Sequence, residues 1–76
     1  MNDDELRQAI RNSLEAGRLP RRRPPAKILA SRSNGNVCDG CGRPIEPATI
    51  EYEVDVAARP LRLHVRCFDI WRDELS

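Results

Sequence analysis

In the stretch CDGC, Cys38 and Cys41 stand three positions apart, which suits a redox pair, a disulfide or one edge of a metal site. The same two-residue gap recurs in HVRC, where His64 and Cys67 complete the pattern C-x2-C-x22-H-x2-C. That pattern uses all three cysteines and the single histidine of the chain. Three thiolates and one imidazole are a standard ligand set of structural zinc, which is tetrahedral. Two thiols at this spacing converge on one ion when the backbone between them folds back, and Gly40 and Gly42 give such a turn its freedom. Three cysteines cannot all pair internally, and no βαβ pattern surrounds CDGC as it would a thioredoxin-like redox motif. The spacing therefore favours a metal site, with zinc as the expected ion.

Catalysis fits this constellation poorly. Catalytic zinc keeps one position open for water, whereas four protein ligands close the shell. With His64 committed to the ion, no histidine remains for general-base work or for a Ser-His-Asp set. A Gly-rich phosphate loop is also missing. The expected function is non-enzymatic, and the metal's expected role is structural.

The elements that must position these ligands can be read from patterning. Residues 1–17 read as an N-terminal amphipathic helix. Asn2 or Asp3 caps it, Asp3, Asp4 and Glu5 sit at the positive end of its dipole, and Gly17 ends it. Leu6, Ile10 and Leu14 form a narrow apolar stripe along it. Residues 18–36 read as a basic, Pro-rich flexible linker, with a short ordered piece around Ala26 to Leu29. Residues 37–76 read as the zinc-finger domain. There Ile50, Tyr52, Val54 and Val56 alternate with Glu51, Glu53 and Asp55, the mark of a half-buried strand with a solvated acidic face. Leu61, Leu63 and Val65 alternate again after the turn AARP, which predicts a hairpin with Arg59 and Arg62 opposite the acids. Phe68, Trp71 and Leu75 then recur at helical spacing, so a short helix begins near Cys67 with those residues as its core face. His64 thus ends a strand and Cys67 opens a helix.

Knuckle, hairpin and ligand-bearing helix resemble a single treble-clef finger, of the kind seen as half of a LIM domain. The resemblance rests on CDGCG, the hairpin-like 49–65 and HVRCF, and covers about residues 37–75. It implies that Cys38, Cys41, His64 and Cys67 are the zinc ligands. The chain lacks the second four-ligand set of a LIM domain, so LIM partners do not carry over. The expected fold class is α+β: a small zinc-stabilised treble-clef finger preceded by a helix and a basic arm.

Size and charge bound what such a chain does. Its 76 residues contain one Trp, one Tyr and one Phe. A chain of this length buries only about 60% of its unfolded surface, so a metal is a welcome staple. No run approaches the roughly 18 apolar residues of a membrane span, and cysteine usage suits a reducing cytoplasm. The net charge of +1 is a cancellation between blocks. Residues 17–36 hold Arg18, Arg21, Arg22, Arg23, Lys27 and Arg32 with no acid, while the flanking blocks are net acidic.

Two kinds of partner follow. Arg21, Arg22, Arg23, Lys27 and Arg32 form a candidate nucleic-acid arm. Leu6, Ile10 and Leu14 either pack on the chain's own finger or are offered to a protein partner or a second copy. Protein interaction, in a regulatory setting, is the favoured reading, with nucleic-acid binding through residues 18–32 or zinc-thiolate redox sensing as alternatives. Monomer and homodimer both stay open.

Overall fold

The computed structural model describes residues 2–22, 28–56 and 59–76. Two helices and a three-stranded antiparallel sheet occur in the order α1 (Asp3–Glu15), β1 (Leu29–Arg32), β2 (Ile50–Val56), β3 (Arg59–His64) and α2 (Val65–Glu74). The architecture is small α+β.

Helix α1 starts where Asn2 Oδ1 accepts from the Glu5 amide at 2.8 Å, which satisfies one of the orphan donors of the first turn. It ends in a Schellman turn. Gly17, at φ +79°, adopts the left-handed conformation, so that Arg18 N donates to Ser13 O (2.9 Å) and Gly17 N to Leu14 O (3.3 Å). The helix lies against α2, where Arg7 and Arg11 pair with Glu74 at 2.5 and 2.6 Å and Arg66 pairs with Asp3. Ile10 is fully buried and Leu14 nearly so, with Leu6 packed against the same core.

The sheet is ordered β1-β2-β3. A two-stranded hairpin was the expectation from patterning. The structure adds β1, drawn from residues read as flexible linker, with Leu29 opposite Glu53 and Arg32 opposite Ile50. The linker reading also misses Leu19 and Ser33, which are 1% and 3% exposed. Trp71 Nε1 donates to Pro20 O at 3.2 Å, holding the segment after α1 onto α2. Arg23, Pro24, Pro25, Ala26 and Lys27 lie outside the described residues, as do Ala57 and Ala58 of the turn.

Alternation along β2 fails at its start. Glu51 is 1% exposed while Ile50 is 49% exposed, the reverse of the expected half-buried pattern. Asn36 Nδ2 (3.1 Å) and Arg62 (3.1 Å) both reach the Glu51 carboxylate, so the loop after β1 covers what would otherwise be the solvated face. Arg62 also meets Glu53 at 3.2 Å, as the acidic-row pairing predicts; the side chain of Arg59 lies outside the described residues.

On the other face, Val54, Leu61 and Leu63 meet Ile10, Phe68 and Trp71 in one buried cluster. Phe68 stands edge-on to both Tyr52 (5.3 Å between centroids) and Trp71 (6.1 Å), an arrangement favoured by the ring quadrupoles. Phe68 and Trp71 are thus core, as patterning suggests.

Candidate metal centre

The ligand atoms of Cys38, Cys41, His64 and Cys67 all lie within 4.8 Å of one another, a group able to hold a metal ion. Each arrives from a defined piece of backbone. Cys38 and Cys41 belong to a knuckle pinned at its neck by Cys38 N donating to Arg43 O and Gly42 N to Cys38 O, both at 2.9 Å. Val37 and Pro44 bridge just outside it. Gly42 turns the chain with φ +76°, a conformation a side chain would strain. His64 is the last residue of β3 and Cys67 the third of α2, so one strand-to-helix junction supplies the second pair.

The knuckle is clamped to the rest of the fold. Asp39 N donates to Arg62 O (2.8 Å), and Arg62 N returns a bond to the Asp39 carboxylate (2.9 Å). Ser13 Oγ, buried on α1, donates to Gly40 O at 2.5 Å. Gly40 itself lies so close to α1 that a Cβ there would fall 2.6 Å from Ile10 Cδ1. The ligand-bearing turn therefore rests directly on the N-terminal helix. Ser13 escapes sequence reasoning; its position three residues after Ile10, on the flank of the stripe, is the sole trace of its role.

Around the sulfurs the electrostatics are those of a site that wants a cation. The Cys67 thiol donates to Cys38 and, despite burial, this bond together with the backbone N–H groups of Cys41, His64 and Gly40 holds the Cys38 thiol down to about 4. Gly40 N lies 3.3 Å and His64 N 3.5 Å from Cys38 Sγ. Cys67 is pushed the other way, first because it is the donor to Cys38 and then by burial. Burial also raises Cys41, reinforced by the charge on Cys38. One thiolate is therefore easily formed and the other two are opposed by it, until a cation between them removes the repulsion. His64 presents Nδ1 to the sulfurs, 3.5 Å from Cys41 and 3.7 Å from Cys67.

Cys38 and Cys67 are buried, whereas Cys41 and His64 are half-buried at the wall of a cleft of about 670 Å³ that also touches Leu6, Ile50 and Val65. Of the remaining candidates from the sequence, Arg21, Arg22 and Arg32 are exposed, and Arg23 and Lys27 lie outside the described residues. Ile10 and Leu14 are buried in the chain's own core, and Leu6, half-buried, packs against it at the edge of the cleft. No helix among the described residues is long and apolar enough to cross a membrane. Compared with protein-family models, curated proteins and solved structures, the chain matches none of them.

Proposed function

We propose that this chain is a non-enzymatic protein-interaction module whose fold is built on one structural zinc ion in a treble-clef arrangement. The observation that carries the reading is the spacing of the ligand atoms. Zinc bound at ~2.3 Å to sulfur and ~2.05 Å to nitrogen has S···N tetrahedral edges of roughly 3.5 Å. The two edges from His64 Nδ1 are 3.5 and 3.7 Å. Four soft or borderline donors in a tetrahedral set select zinc over the hard, oxygen-loving cations. Knuckle, antiparallel hairpin β2–β3 and a helix that donates its third residue follow the treble-clef order.

A closed four-ligand shell leaves zinc no position for a water nucleophile, so the ion's work here is to hold two chain segments together. The chain's single histidine is one of the ligands, which leaves general-base catalysis without its usual agent. Metal-thiolate chemistry of this kind persists in a reducing compartment such as the cytoplasm.

Native mass spectrometry with and without a chelator, alongside circular dichroism, tests the reading. One zinc per chain, with secondary structure lost on its removal, is the expected result. A folded chain that takes up no zinc, or a zinc with an exchangeable water detected by an anion probe, would overturn it.

A further inference from the structure

Among the described residues, one edge of the sheet is covered and the other is not. On the β3 side, the bonds between Asp39 and Arg62 at 2.8 and 2.9 Å lay the knuckle over the strand. On the other side stands β1. Ser33 N donates to Thr49 O at 2.8 Å just beyond it. The alternation of an antiparallel ladder then turns the backbone groups of Leu29 and Ser31 toward β2 and those of Ala30 and Arg32 outward. Among the described residues, nothing bonds to these outward groups. All four residues of the strand are exposed, Leu29 at 59%. Such an edge is a template for a further strand unless something blunts it.

Charge selects what would dock there. The block 17–36, to which β1 belongs, contains six basic residues and no acid. Arg21, Arg22 and Arg32 are exposed and make no ion pair among the described residues. A second copy pairing edge to edge would bring two such blocks together, an arrangement like charges oppose. Nucleic acid matches the charge but leaves the strand's amides and carbonyls unused. It also lacks stacking platforms, since Tyr52 is half-buried and Phe68 and Trp71 are buried. An extended acidic peptide answers both features, with main-chain bonds giving affinity and carboxylates meeting the arginines.

We propose that β1 receives an extended acidic segment of a partner protein as a fourth strand of the sheet. This deepens the reading of the chain as a protein-interaction module and rests on it. The peptide's backbone bonds to Ala30 and Arg32, and its acidic side chains pair with the exposed arginines among the described residues, first Arg32 on the strand itself.

The test titrates the full-length, zinc-loaded chain with a labelled peptide of about twelve residues alternating Glu with Val and Thr. Its Gln-for-Glu counterpart and a single-stranded oligonucleotide of similar length serve as competitors. Binding of the Glu peptide, weakened about tenfold or more in the Gln peptide, is expected. Ala30→Pro removes an outward N–H without touching a ladder bond to β2, so it should weaken binding about tenfold while zinc content stays at one. Should that variant lose zinc, the triple exposed substitution Arg21→Gln, Arg22→Gln, Arg32→Gln takes its place, with the same tenfold loss expected. Equal affinity for the two peptides, unchanged binding in the variants, or preference for the oligonucleotide would each overturn the proposal. Dimerisation abolished by Ala30→Pro would assign the edge to a second copy instead. A chain that holds zinc yet ignores the Glu peptide sinks this inference alone, whereas a chain without zinc sinks the structural-metal reading.

Discussion

A methyl group at position 40 would come within 2.6 Å of Ile10 Cδ1 and 3.1 Å of Leu63 Cδ2, both side chains with no exposed surface. Gly40→Ala is therefore expected to destabilise the metal-loaded chain by about 1–3 kcal/mol, the usual cost of overpacking. Ile10→Val deletes the clashing Cδ1 and alone should cost about 0.5–1.5 kcal/mol. If the clash is what matters, the double variant loses less than the sum, because contacting sites couple. Denaturant melts of the four proteins decide it; strictly additive losses would mean that the knuckle relaxes elsewhere. Glu51 supplies a second residue-scale prediction. Burial pushes its carboxyl up, but the hydrogen bonds from Asn36 and Arg62 outweigh this and hold it below the ordinary 4.5. A group with a depressed folded value stabilises fully above its unfolded value and loses that contribution as pH falls through the folded one. The acid limb of stability, below pH 4.5, should accordingly become shallower in Glu51→Gln, with about 1–3 kcal/mol lost at neutral pH. An unchanged acid limb would remove Glu51 from the account of acid unfolding.

At the scale of elements, α1 belongs to the candidate metal centre as much as the knuckle does. Ile10 packs on Gly40, Ser13 Oγ bonds its carbonyl, and the Arg7 and Arg11 pairs with Glu74 tie α1 to the ligand-bearing α2. Ile10→Asp would place an unpaired charge in that core, among the few changes that cost more than about 4 kcal/mol. The expected outcome is loss of zinc together with helical signal, read by metal content and far-ultraviolet circular dichroism. Retention of zinc would mean that the finger stands without its helix. Element by element, legibility in the sequence follows the strength of the local signal. The clustering of Cys38, Cys41, His64 and Cys67 is legible because coordination chemistry dictates residue types and short spacings, and α1 because caps and stripe agree. β1 is not: LASR shows no alternation and all four residues are exposed, so its strand conformation comes from pairing with β2. Nor is the burial of Glu51, because a period of two reports one face of a strand and says nothing of a loop folded over the other. Leu19, a lone apolar residue between Gly17 and Pro20, enters the core through tertiary packing that no local pattern encodes.

Across the whole molecule, the question is whether helix, basic segment and finger come apart separately. Structural zinc contributes about 10–16 kcal/mol in finger peptides, as much as the entire net stability of an ordinary domain. With 76 residues and three aromatic side chains, this chain has little else to fall back on. The same buried cluster contains Ile10 and Leu14 of α1, Leu19, the candidate ligands Cys38 and Cys67, and Trp71 of α2. An ion held by this group would tie the junction at His64 and Cys67 to the knuckle on which Ile10 rests, so its removal would free the one from the other. We therefore predict one cooperative transition when a chelator is titrated into the zinc-loaded chain. Three probes report on different parts: Trp71 fluorescence on the α2–Pro20 contact, ellipticity on α1 and α2 together, and free zinc on the site. Coincident curves for all three are the expected result, since a two-state unit gives the same midpoint by every probe. A Trp71 signal that changes with zinc release while helical ellipticity persists would show that α1 is stable apart from the finger. That outcome would restore a division of the chain into separate helix and finger, and would free the Leu6–Ile10–Leu14 stripe for a partner.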